Sequence, residues 1–238
     1  MSAPNSFLTL LLFVLFPAAA LAQDPYAGIH TVGIVSAIGD RLEFADTGFS
    51  WTGGDGPAAA DIGAWNIDQW TVQQIANALG NRFVVQPVQV NLAPLYSCNG
   101  RQQCETVMPR GGDVDAYIVA FKAVAADPLG GRSDIRGIGL YHHPGFLGVG
   151  EIDSVYAIYA IAVVDAKTGT IIDYGTARLD DEHAFGEHFN PIERVPDSIW
   201  PDSPPQLSAE QQLTVRNAAK RLIATTVHHA LANANIVK

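Results

Sequence analysis

The residue types best suited to chemistry gather in one acidic segment, DDEHAFGEH, at positions 180–188. Asp181, His183 and His188 carry carboxylate and imidazole groups, which are ligands that zinc and copper accept. His143, or its neighbour His142, in the segment YHHPG would add a fourth ligand if the fold brings it close. The two histidines of the segment are five residues apart and do not match the i, i+4 pair of a helical zinc site. The pattern therefore predicts either a metal site or a solvated acidic loop.

The segment TVGIVSAIGD, residues 31–40, combines an apolar run with glycines and could be mistaken for a phosphate-binding loop. Such a loop needs a lysine that reaches the anion and a helix that starts at the glycines. Here Gly39 is followed by Asp40, whose charge would repel a phosphate, and by the alternating strand pattern RLEF. We therefore predict a hairpin of two strands joined at Ile38–Gly39–Asp40, and no nucleotide or other cofactor.

The only cysteines of the chain are Cys98 and Cys104, in the segment CNGRQQC. A disulfide can close such a short loop, and Asn99-Gly100 supplies a turn. A redox pair, a metal site and two free thiols are the alternatives, although the C-x-x-C spacing of redox pairs is absent. The leading prediction is a structural disulfide.

Residues 1–22 resemble a signal peptide, with an apolar stretch from Phe7 to Phe16 followed by small residues at Ala20 and Ala22. We expect cleavage before Gln23, with the exported chain left without a membrane span and placed in the periplasm or outside the cell. The alternative is an uncleaved membrane anchor, for which the apolar stretch is short. The net charge is −10, with 14 lysines and arginines in 238 residues, and no basic stripe is present. This distribution argues against nucleic acid as a partner.

Two helices are predicted from capping signals and apolar periodicity. The first begins at Asn66, with Gln69 in the position of a capping box, and ends at Gly80. The second begins at Ser208, with Gln211 three residues later, and has an apolar stripe that reaches Ala234. Both have an apolar stripe on one side, so each is expected to pack one face on a sheet.

The strongest strand signals come late in the chain. VYAIYAIAVV, residues 155–164, is apolar throughout and is expected to be covered on both faces. The turn DAKTGT connects it to a strand at 171–179, and a strand at 138–147 completes an antiparallel meander. We expect loops at 91–112 and, rich in proline, at 180–206. The prediction is one α/β sandwich domain at 23–238, with a mixed sheet and a long C-terminal helix.

Three segments carry a resemblance to known proteins: RFVVQPV at 82–88, GDVDAYIV at 112–119 and VVDAKTGTII at 163–172. They resemble the Rossmann-like domain of the Tol-Pal translocation protein and of curli-secretion and penicillin-binding-protein-activator lipoproteins. The opening VGIVSAIGDRLEF and WNIDQW are also similar to a family of exported bacterial proteins of this length. The resemblance implies a periplasmic adaptor that binds another envelope protein without catalysis. The alternative function is a metal-binding protein or metal-dependent hydrolase that uses the acidic segment.

Overall fold

The structure is a computed structural model, and it describes residues 25–46, 58–98, 100–126, 134–143, 152–179, 191–196 and 198–237. Its strands are β1 Thr31–Ala37, β2 Arg41–Asp46, β3 Ala59–Asp61, β4 Val84–Gln86, β5 Ala116–Lys122, β6 Val124–Ala126, β7 Asp134–His143, β8 Ile152–Asp165, β9 Ile171–Thr176 and β10 Ile192–Val195. Its helices are α1 Ile67–Leu79, α2 Ala93–Ser97, α3 Gly100–Glu105 and α4 Ala209–Asn233, with a short 3₁₀ turn at Gly63–Trp65. The α/β class, the mixed sheet and the long C-terminal helix are confirmed.

Strand β8 is the axis of the sheet. Along one edge of β8, the first half of the strand pairs with β7 and the second half pairs with β5. On its other edge β10 pairs with the first half and β9 with the second, all antiparallel to β8. Because β7, β8 and β9 are joined in this way, the predicted antiparallel meander is confirmed.

Strands β1 and β2 follow one another along the sheet in the same direction, and the predicted hairpin is wrong. β1 pairs in parallel with β5, whereas β2 pairs in parallel with β7. Since β5 and β7 lie end to end along β8, the chain passes through Ile38–Asp40 without reversing. The local pattern of two short strands around a glycine is the same for a hairpin and for this continuation. Only the distant partners decide between them.

Both faces of β8 are buried, as its apolar sequence predicts. Val155, Ala157 and Tyr159 belong to the core under α1 and α4, and the alternate residues Tyr156 and Ile158 belong to the core under α2 and α3. This alternation follows from the two-residue period of a strand. The sheet therefore lies between two layers of helices.

The two predicted capping boxes have different outcomes. At α4, Ser208 accepts from the backbone N–H of Gln211, and the Gln211 side chain accepts from the backbone N–H of Ser208, so that box is confirmed. At α1, Asn66 precedes the helix with φ 54° and makes no side-chain cap hydrogen bond, so that box is wrong. The reason is that the backbone N–H of Asn66 closes the preceding 3₁₀ turn on Gly63, which places the residue in the left-handed region.

Two segments predicted as loops contain regular structure. Helices α2 and α3 lie within 91–112, and β10 lies within 180–206, where it pairs with β8. These helices of five and six residues are too short to show apolar periodicity in the sequence. In the part of the chain that the structure describes, no helix is long and apolar enough to cross a membrane. The predicted signal peptide at 1–22 lies outside the described residues.

Candidate functional site

A polar cleft opens where β1 ends and β2 begins. The first turn of α1 forms one wall and Tyr96 of α2 forms another. The main part of the cleft, here called the large lobe, encloses about 790 Å³ and is lined by residues that include Asp40, Arg41, Asp61 and Asp68. It opens beyond the carboxyl end of β1, and the carboxyl ends of parallel strands are where open α/β sheets place their ligands. Its volume is in the range of small-molecule sites.

The carboxylate of Asp68, in the first turn of α1, ties the walls of the cleft together. Its Oδ1 accepts from Ser36 Oγ at 2.6 Å and from the backbone N–H of Ile38 at 2.8 Å. Its Oδ2 accepts from the hydroxyl of Tyr96 at 2.5 Å. Burial, the hydrogen bond to Asp68 and nearby negative charge raise the pKa of Tyr96, so its hydroxyl remains a donor at neutral pH. One side chain thus fixes β1, α1 and α2 against one another.

Gly39 is required by this close approach. A Cβ at this position would lie 2.8 Å from the Cβ of Ile67 and 3.0 Å from Oδ2 of Asp68. Its backbone N–H also points to the Asp68 carboxylate, at 3.2 Å. The glycine of the opening segment therefore serves packing against α1, and the acid that follows it faces the cleft.

Lys122, the last residue of β5, is a buried cation beside the cleft. It is 5% exposed, and its Nζ lies 2.6 Å from Oδ1 of Asp40 and 3.3 Å from the carbonyl oxygen of Tyr96. Its stem lies against Gly137, where φ is 60° and an added Cβ would lie 3.1 Å from Lys122 Cδ. Oδ1 of Asp40 is buried, and no group in the described residues donates a hydrogen bond of suitable geometry to it. Its close contact is the ion pair with the ammonium of Lys122.

A second cavity of about 170 Å³, here called the small lobe, adjoins the large lobe and shares Asp40, Arg41 and Tyr96 with it. Lys122 lines it together with a second ion pair, in which Nε of Arg136 lies 2.6 Å from Oε1 of the buried Glu43. The Asp40–Lys122 and Glu43–Arg136 pairs are therefore held in place before any ligand arrives.

A second polar cluster lies near the start of β8. Asp153 is fully buried, and its Oδ1 lies 2.8 Å from Nδ1 of His142 on β7. Its Oδ2 accepts from the backbone N–H of Trp200 at 2.9 Å, and the indole stacks on the imidazole with 4.9 Å between ring centroids. Both carboxylate oxygens are used, so this cluster anchors the segment before α4 to the sheet.

The structure brings Cys98 and Cys104 together as predicted, with their sulfur atoms 2.08 Å apart. Both residues are buried, Cys98 next to α2 and Cys104 within α3. The bridge therefore holds the segment that carries Tyr96 and supports the wall of the cleft.

The predicted metal ligands are only partly described. His143 is the last residue of β7, opposite Ile152 of β8, while Asp181, His183 and His188 lie outside the described residues. Within the described ranges, no group of three or more His, Cys, Asp or Glu residues is arranged to hold a metal ion. The metal site at the acidic segment stays a prediction.

Sequence reasoning did not single out Lys122, Asp68 or Tyr96 as site residues. Two signals were available: a lysine at the end of the apolar strand AYIVAFK, and an aspartate in the first turn of a helix. A charged residue in an apolar strand has to find a partner when it is buried. That signal indicates a polar site, although it does not say where the partner lies.

Comparison with known proteins assigns the chain to no family. No protein-family model matches the sequence, and no curated protein is significantly similar to it.

Proposed function

We propose that the protein is an exported, non-catalytic binding module of the bacterial envelope that holds its ligand in the polar cleft. The observation that carries this proposal is the large lobe of about 790 Å³ at the carboxyl end of β1. The sequence resemblance to periplasmic adaptor domains supports the same role.

Two features support export to the periplasm or to the medium. Residues 1–22 have the composition of a cleavable signal peptide. The bridge between Cys98 and Cys104 belongs to the type of bond that persists in oxidising compartments.

The fixed charges of the cleft support binding. The Asp68 carboxylate accepts hydrogen bonds from Ser36, Ile38, Gly39 and Tyr96, and it serves as a structural hub. Asp40 and Lys122 are paired with each other. Groups that are already ordered lose little conformational freedom when a ligand binds, which favours affinity.

Site-specific photo-cross-linking tests the proposal. A photo-activatable amino acid replaces Gln69, which is exposed on α1 and lines the large lobe. The matched control carries it at Asn77, which is exposed on the same helix about two turns away. In an envelope extract of the source organism, we expect a discrete cross-linked component at position 69 and none at position 77. Equal labelling at both positions, or none at either, contradicts a ligand in the cleft.

A further inference from the structure

The two lobes of the cleft carry opposite net charge. Among the described residues, the large lobe is lined by three carboxylates, those of Asp40, Asp61 and Asp68, and by one guanidinium, that of Arg41. Its lining is therefore net negative.

The small lobe has the reverse balance. Its described lining contains three cationic side chains, Arg41, Lys122 and Arg136, and two carboxylates, Asp40 and Glu43. Lys122 is almost completely buried, so its charge acts where water screens little. The lining of this lobe is net positive, and it is continuous with the negative lobe through Asp40, Arg41 and Tyr96.

This separation of charge is built into the fold. Arg136 and Glu43 are held together at 2.6 Å between parallel neighbours β7 and β2, and Lys122 is held by Asp40 across the break between β1 and β2. The charges therefore keep their positions in the unoccupied protein. A purely anionic ligand is disfavoured by the large lobe, and a purely cationic ligand is disfavoured by the small lobe.

We propose that the cleft binds a zwitterionic ligand of amino-acid or short-peptide size. Its ammonium group lies in the large lobe near Asp61, whose carboxylate is exposed and accepts from the backbone N–H of Gly63 at one oxygen. Its carboxylate lies in the small lobe near Lys122 and Arg136. The Asp61 carboxylate can accept hydrogen bonds from the ligand ammonium group in addition to the one from Gly63. Lysine and arginine side chains donate to carboxylates, so Lys122 and Arg136 suit the other end of the ligand. This ligand class rests on the proposed function of the cleft.

Calorimetric titration of the exported protein with three peptides tests the ligand class. Tri-L-alanine carries both charges, its N-acetyl derivative lacks the ammonium group, and its C-terminal amide lacks the carboxylate. We expect each blocked peptide to bind about tenfold more weakly than tri-L-alanine, because each loses one charge-assisted contact. Equal binding of the three peptides, or no binding of tri-L-alanine, overturns the proposal.

Two variants assign the contacts. Asp61→Asn should remove the preference for the free ammonium group, and Arg136→Gln should remove the preference for the free carboxylate. Lys167→Gln, at the exposed turn between β8 and β9, should change neither. If Arg136→Gln does not fold, the peptide series on the unsubstituted protein still decides the question. Unchanged preferences in both folded lobe variants overturn the assignment.

The outcome separates this inference from the proposed function. If the peptides do not bind while the cross-linker at Gln69 still captures a component that the control at Asn77 does not, the ligand class is wrong and the cleft remains the binding site. If both experiments fail, the binding function of the cleft is wrong as well.

Discussion

Two carboxylates paired with basic side chains, Asp153 and Asp40, differ in how completely their oxygens are satisfied. Asp153 is fully buried, and both of its oxygens have partners, His142 and the backbone of Trp200. Asp40 keeps 24% of its side chain exposed to the cleft, and its buried Oδ1 depends on the ammonium of Lys122. A closed network of this kind fixes a segment of chain, whereas a network open to a cleft can also contact a ligand. The difference separates an anchor from a candidate binding site.

The largest effect is expected from Lys122→Met. Removing one partner of a buried ion pair leaves the other charge uncompensated, and the free energy of unfolding should fall by about 3 kcal/mol. Urea denaturation measures this change. Lys167→Met, at an exposed turn, serves as the control and should stay within about 0.5 kcal/mol of the unsubstituted protein. Equal stability of the two variants would show that Asp40 does not depend on Lys122.

Asp153→Ala should lower the free energy of unfolding by about 2 kcal/mol, because the backbone N–H of Trp200 and the imidazole of His142 lose their acceptor. The substitution should leave cross-linking at Gln69 unchanged, since the anchor does not line the cleft. Urea denaturation and the cross-linking assay measure the two effects. A loss of cross-linking in the folded variant would remove the distinction between the two networks.

Replacing both Cys98 and Cys104 by alanine should lower stability by about 2 kcal/mol, the amount expected for a bridge that closes a short loop. Loss of the bridge should also loosen the chain locally, and amide hydrogen exchange measures this loosening. We expect faster exchange in α2, around Tyr96, and little change around His142 on β7. Equal acceleration in both regions would contradict a specific link between the bridge and the wall of the cleft.

Tyr96→Phe gives the smallest expected change at neutral pH, a loss of about 1 kcal/mol from the missing hydrogen bond to Asp68. Tyr174→Phe is the matched control, because the Tyr174 hydroxyl donates to no residue in the described ranges. Urea denaturation of the two variants compares the effects. A loss at Tyr174 equal to that at Tyr96 would contradict the role given to the Asp68 hydrogen bond.

The same variant has a pH signature. Burial, the Asp68 hydrogen bond and nearby negative charge raise the pKa of Tyr96 in the folded protein. The unfolded chain releases this proton near pH 10, about the ordinary value for tyrosine, while the folded protein retains it. Stability from this group is therefore present below about pH 10 and lost as the pH rises further. Between about pH 10 and pH 12, Tyr96→Phe should lose less stability than the unsubstituted protein, as measured by urea midpoints.

Features of the fold that depend on neighbouring residues could be predicted from the sequence. The apolar run at 155–164 predicts a strand buried on both faces, and Ser208 with Gln211 predicts the start of α4. Gly169 has φ 74° in the turn after β8, as its place in DAKTGT predicts. In each case the physical cause lies within a few residues, in periodicity, capping or turn geometry.

Features that depend on distant partners could not be predicted. The direction of the chain after Gly39 is decided by β5 and β7, which lie far along the chain. The cleft depends on Asp40 meeting Lys122, and neither residue indicates the other in the sequence. The metal site predicted at the acidic segment rests on residue types alone, whereas the cleft is built from a lysine, a tyrosine and aspartates.

The end-to-end arrangement along β8 has a consequence for the order of folding. Strand β8 runs through both halves of the sheet. The strands beside it that the structure describes are shorter and lie end to end in pairs: β1 with β2, β5 with β7, and β9 with β10. The strands β1, β2, β5 and β7 therefore have no shared backbone template until Ile152–Asp165 has been synthesised. We expect assembly to be late and dominated by contacts between remote segments, which makes folding slow and leaves the early strands open to aggregation until β8 is available.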